Sequence, residues 1–290
     1  MNTTSGVPFR KMNGLGNDFV IIDVRGRDVP MTGEIARRIG DREKGVGCDQ
    51  IIVLRDDAVD GVDAFMEIWN RDGSEVGACG NATRCVGDIL MREKGADNAT
   101  IRTKAGILTA RRDGEMVQVN MGKPRFHWEE IPLAEEFRDT TGIELQIGPI
   151  DHPVIHTPSV VNVGNPHAVF WVDDLDVIDL ATAGPLLENH PIFPEGANIS
   201  LAKVHSPEHV ELKVWERGAG LTKACGTAAC AAAVCGARKG LTNRRVRVTL
   251  PGGDLFIHWR EDDDAILMTG PVEDEFDGIL PLETFAFRVA

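Results

Sequence analysis

Apolar and polar positions alternate with a period of two over Ala64, Met66 and Ile68, and again over Val210, Leu212 and Val214. That period marks a strand with one buried face. Past a Cys-Gly pair that follows each run, the pattern turns helical, over about 80–94 and about 226–239. Residues 226–237 carry no charge, only Gly, Thr, Ala, Cys and Val. A helix that is apolar on every side is buried on every side. Strand-like runs follow each helix, at 107–112 and 116–121 and then at 245–250 and 255–259, the last two flanking a Pro251-Gly252-Gly253 turn. The segment 123–158 is acidic, holds Pro124, Pro132, Pro149, Pro153 and Pro158, and reads as a crossing between domains.

The chain also repeats itself. At an offset of 146, IWNRDGSEVGACGNA (68–82) lies over VWERGAGLTKACGTA (214–228) without a gap. Trp69, Arg71, Ala78, Cys79, Gly80 and Ala82 meet Trp215, Arg217, Ala224, Cys225, Gly226 and Ala228, six identities in the 14 positions 69–82. Ordinary composition would supply roughly one. The offset is half of 290 residues, so the expected architecture is α+β, with two pseudo-symmetric domains. Each is expected to be a curled, mostly antiparallel sheet wrapped around a central buried helix, with the active site in the interdomain cleft.

Composition narrows the function classes. Lys+Arg 31 against Asp+Glu 45 leaves a net charge of −14, which disfavours a protein that tracks nucleic-acid phosphates. No stretch approaches the roughly 18 consecutive apolar residues of a membrane span, and the first ten residues lack a signal-peptide pattern. A cytoplasmic protein with no nucleic-acid or membrane partner is therefore expected.

The six cysteines are Cys48, Cys79, Cys85, Cys225, Cys230 and Cys235. No C-x-x-C occurs, and the C-x4-C-x4-C run at 225–235 would spread its sulfurs around a helix, so no metal site is expected. Cys85, Cys230 and Cys235 fall inside the helices and read as inert core, and Cys48 in a Gly-rich turn reads as structural. Cys79 and Cys225 are different. Each stands at the start of a buried helix with Gly behind it, where first-turn N–H groups and the helix dipole favour a thiolate. A single Cys-Gly is more often a core residue, but here both copies keep it, whereas Cys85 faces Ala231.

Two such thiols suggest a chemistry: a thiolate removes a proton from one side of a stereocentre and a thiol delivers one to the other. The pair titrates as a coupled unit, and the two helix N-termini offer donors to a carboxylate-stabilised carbanion. Asn81 and Thr227 add polar groups to the same first turns, and GLGND (14–18) and VGNPH (163–167) each place an Asn after a Gly. Asn70 faces Glu216, followed by Arg217, an asymmetry that would tell apart the two ends of a substrate. Gly14-x-Gly16 lacks the third glycine of a dinucleotide fingerprint, where Phe19 stands, and no Walker motif or recognisable pyridoxal-phosphate lysine occurs.

FRKMNGLGNDFVIID, WNRDGSEVGACGNATRC, VGNPHAVFWV, FPEGANIS and ERGAGLTKACGTAACA together resemble the diaminopimelate epimerase family over essentially the whole chain. The resemblance implies interconversion of L,L- and meso-diaminopimelate in the lysine and cell-wall precursor pathway, with no cofactor and no metal. It implies Cys79 and Cys225 as base and acid. It carries substrate contacts onto Asn17, Gln50, Asn70, Gly80, Asn81, Asn165, Asn198, Glu216, Arg217, Gly226 and Thr227, and gives His167 a supporting role. It further implies a homodimer, and domains of 1–123 plus 273–290 and of 124–272. The sequence departs from the common family pattern at Asn13, where His is frequent, at Cys48, and at Ala82 and Ala228, where Gly is usual. The alternatives are a proline racemase of the same fold, whose first motif places His where Asn81 stands, a thiol redox protein, and a non-enzymatic binding protein.

Overall fold

The computed structural model describes residues 6–77 and 79–285; Ala78 of the repeat lies outside the described residues. Two compact units result, one of residues 1–119 with 270–290 and one of 120–269.

The first unit opens with β1 (Gly6–Gly14), β2 (Asn17–Asp23), α1 (Gly33–Gly40), β3 (Gln50–Arg55), β4 (Ala64–Asn70) and the short β5 (Glu75–Val76). It continues through α2 (Gly80–Lys94), β6 (Asn98–Thr103), β7 (Gly106–Asp113) and β8 (Met116–Asn120). The second unit holds β9 (Gln146–Ile147), β10 (Ile155–His156), β11 (Ser159–Asn162), β12 (Pro166–Trp171), α3 (Leu180–Glu188), β13 (Asn198–Ser206), β14 (His209–Glu216) and β15 (Gly220–Thr222). It ends with α4 (Gly226–Arg238), β16 (Arg245–Leu250), β17 (Gly253–Trp259) and β18 (Ile266–Gly270). The chain then returns to the first unit as β19 (Glu273–Pro281), which pairs antiparallel with β1.

The duplication is visible strand by strand. In the first unit β1–β2, β3–β4 and β6–β7 pair antiparallel, while β2–β3 and β4–β6 run parallel. In the second, β11–β12, β13–β14 and β16–β17 are antiparallel, and β12–β13 and β14–β16 are parallel. Each unit is thus a mostly antiparallel α+β sheet with two parallel joints, and each joint is bridged by a helix, as a parallel crossover requires.

The period-two runs become β4 and β14, whose inward residues Met66, Ile68, Val210, Leu212 and Val214 are buried. In α2 every residue from Gly80 to Met91 is buried, and in α4 every residue from Ala228 to Gly236. The α4 helix packs against β11, β12, β13, β14, β16 and β17, so the second unit's sheet curls around it. Small residues make this close approach possible: a Cβ on Gly236 would lie 2.6 Å from the Thr242 hydroxyl, and one on Gly87 of α2 would lie 2.4 Å from the Ala110 Cβ. A left-handed Gly95 closes α2.

The Pro-rich segment read as a crossing differs from that expectation. Ile131, Leu133, Ile143, Leu145 and Ile155 are buried together with Phe170, Leu180 and Leu201, so the segment forms part of the second unit's core. Its apolar residues are too irregularly spaced to show a period, but each is large enough to be worth about 1.5–3 kcal/mol on burial. No helix among the described residues is long and apolar enough to cross a membrane.

Candidate active site

Cys79 is the N-cap residue of α2, extended at φ −150° and half-buried; its carbonyl accepts from the Thr83 N–H at 3.0 Å and the Thr83 hydroxyl at 2.8 Å. Gly80 and Asn81 form the first turn behind it. The tight turn between β1 and β2, with Leu15 at φ 64° and Gly16 at φ 83°, delivers Asn17. Asn13 closes that turn by accepting the Gly16 N–H, at 2.6 Å, which gives this departure from the family pattern a local purpose.

The structure joins Asn17 and Asn81 directly. Asn81 Nδ2 donates to Asn17 Oδ1 at 3.4 Å, Asn17 Nδ2 donates to Asp49 Oδ2 at 3.1 Å, and Arg84 Nη1 donates to Asn81 Oδ1 at 2.9 Å. Gln50 and Asn70 are cross-strand partners in β3 and β4, and Gln50 Nε2 donates to Asn70 Oδ1 at 2.9 Å. Beneath them lies a charged cluster. Lys11, nearly fully buried, contacts Asp18 and donates to the Gly47 carbonyl at 2.5 Å, while Arg42 bridges Asp18 and Asp49. Although burial opposes it, the hydrogen bonds and charges of Arg42 and Lys11 hold the Asp18 carboxyl far below the usual carboxylate range.

The second unit repeats the helix start with different dressing. Cys225 is the N-cap of α4, extended at φ −129° and buried, with its Sγ 3.5 Å from the Thr227 hydroxyl and Gly226 next in the helix. Burial first, and then the Glu216 carboxylate, push the Cys225 thiol well above its ordinary value. Glu216 itself accepts from the Thr222 hydroxyl. His167 is completely buried, with Nε2 2.8 Å from Asn165 Oδ1 and Nδ1 without a hydrogen-bond partner among the described residues. Burial, assisted by Arg217, brings its pKa down to about 3, so the imidazole is neutral. Asn198 donates to the Pro166 carbonyl at 2.9 Å and accepts the Arg217 N–H at 3.0 Å, which ties the GNPH turn to the Glu216–Arg217 turn.

Three of the other thiols are held as protonated core residues. Burial raises Cys48, Cys85 and Cys235 to about 12, and Cys230 is buried within α4. Among the described residues no group of three or more His, Cys, Asp or Glu side chains is placed to hold a metal ion.

Three residues at these sites escape a reading by motif: Arg84, Asp49 and Glu188. Glu188, the last residue of α3, accepts from Trp215 Nε1 at 2.6 Å and from the Gly218 N–H at 3.0 Å, gripping both flanks of Glu216–Arg217. For Arg84 a signal was available, because a charge in the middle of an otherwise buried helix must have a partner.

The family model of diaminopimelate epimerase matches residues 9–127 and 159–274. The chain belongs to the diaminopimelate epimerase family. It is similar to the diaminopimelate epimerase of Afipia carboxidovorans, 53% identical over 288 residues with 99% of each chain covered. It is 57% identical over 274 residues to that of Brucella anthropi, covering 93% of this chain and 90% of the relative. Among solved structures, a hydroxyproline epimerase from Agrobacterium vitis superposes with a TM-score of 0.67 at 13% identity, covering 97% of this chain and 94% of that one. A phenazine biosynthesis protein of the PhzF family from Bacillus anthracis gives 0.63 at 19%, covering 94% and 98%. At such identities these two speak for the fold.

Proposed function

We propose that the chain interconverts L,L- and meso-diaminopimelate by a two-base mechanism in lysine and cell-wall precursor biosynthesis. The observation that carries this reading is the paired helix start. Two cysteines, each the N-cap of a buried helix, occupy matching positions in a chain more than half identical to diaminopimelate epimerases.

In this reading one sulfur takes the α-proton as a thiolate while the other supplies a proton to the opposite face. The bond from the α-carbon to hydrogen breaks on one side, and a new one forms on the other. In one direction Cys225, kept protonated by burial and by Glu216, enters as the donor while Cys79 takes the α-proton. In the reverse direction the two sulfurs exchange roles, and the first-turn N–H groups of α2 and α4 favour the thiolate at whichever cysteine is the base. The carbanion is stabilised by the α-carboxylate, which the N–H groups of the two helix starts receive. Asn17, Gln50, Asn70, Asn81, Asn165, Asn198, Glu216, Arg217 and Thr227 contact the substrate, with Gly80 and Gly226 allowing close approach, and neutral His167 supports the site. The enzyme works without cofactor or metal, as a cytoplasmic homodimer whose partner is the amino acid rather than nucleic acid or membrane.

The test is exchange in heavy water. Reduced protein with no added cofactor should place deuterium at the α-carbon of diaminopimelate far faster than at that of proline. Faster proline exchange would select the racemase reading, and a peroxide-dependent thiol activity the redox one.

A further inference from the structure

Arg84 sits in α2, one and a half turns from Cys79, and is completely buried. Placing a guanidinium there is costly: an ion removed from water carries a penalty of several kcal/mol unless well-made hydrogen bonds offset it. The fold does not require it. In the duplicated helix the matching position, 146 residues on, is Cys230, equally buried and surrounded by small apolar residues. The two helices therefore differ just where a neutral filler would serve packing better.

What accompanies the arginine is an amide. Arg84 Nη1 donates to Asn81 Oδ1 at 2.9 Å, and position 81 corresponds to Thr227 in α4, which has no amide to orient. An asparagine side chain is nearly symmetric in shape but not in chemistry: one end accepts and the other donates. With the guanidinium on its oxygen, the Asn81 NH2 points to Asn17, donating to Oδ1 at 3.4 Å, and Asn17 turns its own NH2 to Asp49. The backbone makes room for this arrangement at Gly14, where a Cβ would lie 3.2 Å from Arg84 Nη2 and 3.5 Å from the Asn81 Cβ.

We propose that Arg84 is a positioning residue for the epimerisation: by holding the Asn81 amide oxygen it makes Asn81 present N–H donors, the polarity a substrate carboxylate needs. This rests on the proposed reaction. It assigns to Arg84 a task that Cys230 does not have in the second unit, so the two halves of the duplication have diverged in how they dress the same helix start.

The experiment measures α-deuterium exchange into diaminopimelate, with kcat and KM separated, for wild type, Arg84→Met, Arg84→Lys, Asn81→Ala and the double variants with Asn81→Ala, alongside thermal unfolding of each. Misorienting a donor by about an ångström costs on the order of 100-fold. We expect R84M to lose about that factor in kcat/KM, with R84K recovering part of it through its retained charge. In the N81A background, R84M should cost less than about 3-fold, because the amide it serves is gone. An R84M loss of equal size in both backgrounds, or none in either, overturns the proposal, since a purely structural arginine would act regardless of Asn81. If R84M does not fold, R84K and its N81A double variant make the same comparison. A wild-type protein that does not exchange diaminopimelate overturns both the reaction and this inference; an active one with uncoupled Arg84 overturns the inference alone.

Discussion

Removing the Glu188 carboxylate should release the turn that carries Glu216 and Arg217. Two donors depend on it, the Trp215 indole N–H at 2.6 Å and the Gly218 amide at 3.0 Å, and both bonds go to a charged acceptor. Such bonds contribute about 1.5–3 kcal/mol each, and because Glu188 is only partly buried the lower figure applies, giving about 3 kcal/mol for Glu188→Ala. At about 2–4 °C per kcal/mol in a unit of this size, the second unit should melt roughly 6–12 °C lower. Trp215 also packs against Gly184, where a Cβ would lie 2.4 Å from the indole ring, so the loosened ring disturbs the strand leading directly into Glu216. The assay pairs calorimetry with steady-state epimerisation. Glu188→Ala should raise KM by about 10-fold or more as Glu216 and Arg217 lose register, an effect of about 1.4 kcal/mol. Glu188→Gln, which keeps one acceptor oxygen, should lose about half as much stability. A Glu188→Ala protein with unchanged melting and unchanged KM would refute the claim that this carboxylate holds the turn.

Glu216→Gln should move the Cys225 thiol titration, followed by thiolate absorbance against a Cys225→Ser reference, to lower pH, since the carboxylate pushes that thiol up; an unmoved titration would remove Glu216 from the account. Asp18→Asn should destabilise the protein at pH 7 by about 3 kcal/mol by leaving the buried Lys11 without its counter-charge. Because the folded Asp18 carboxyl lies below its unfolded value of about 3.9, its contribution is complete above that pH and fades as pH falls, so urea melts at pH 3 should show a smaller gap. A gap of equal size at both pH values contradicts the ion pair. Gly87→Ala should destabilise by about 1–3 kcal/mol, because the new Cβ meets Ala110 at 2.4 Å; a neutral result would mean that α2 can shift.

The two central helices could be read from the sequence because their signals are local. The Cys-Gly starts, the uncharged stretch after Gly226 and the period-two strands beside them need no knowledge of distant contacts. The parallel joints β2–β3 and β4–β6 were not legible, because the direction of pairing depends on how a crossover returns and not on the pattern within a strand. Segment 123–158 misled because its prolines and acidic residues outnumber the scattered Ile131, Leu133, Ile143, Leu145 and Ile155 that enter the core. Glu188 failed for a different reason. A carboxylate at a helix end ordinarily faces water, and the partners that make Glu188 matter lie 27 and 30 residues away. By contrast Asn17, Asn81, Gln50 and Asn70 were nameable individually, but only the fold shows them as two hydrogen-bonded pairs.

The most direct measurement of the central claim is α-deuterium incorporation and epimerisation by the Cys79→Ser and Cys225→Ser proteins, started from each diaminopimelate isomer in heavy water. The two-base account predicts folded proteins in which epimerisation is abolished for both variants from both starting isomers. Full turnover by either variant would contradict it.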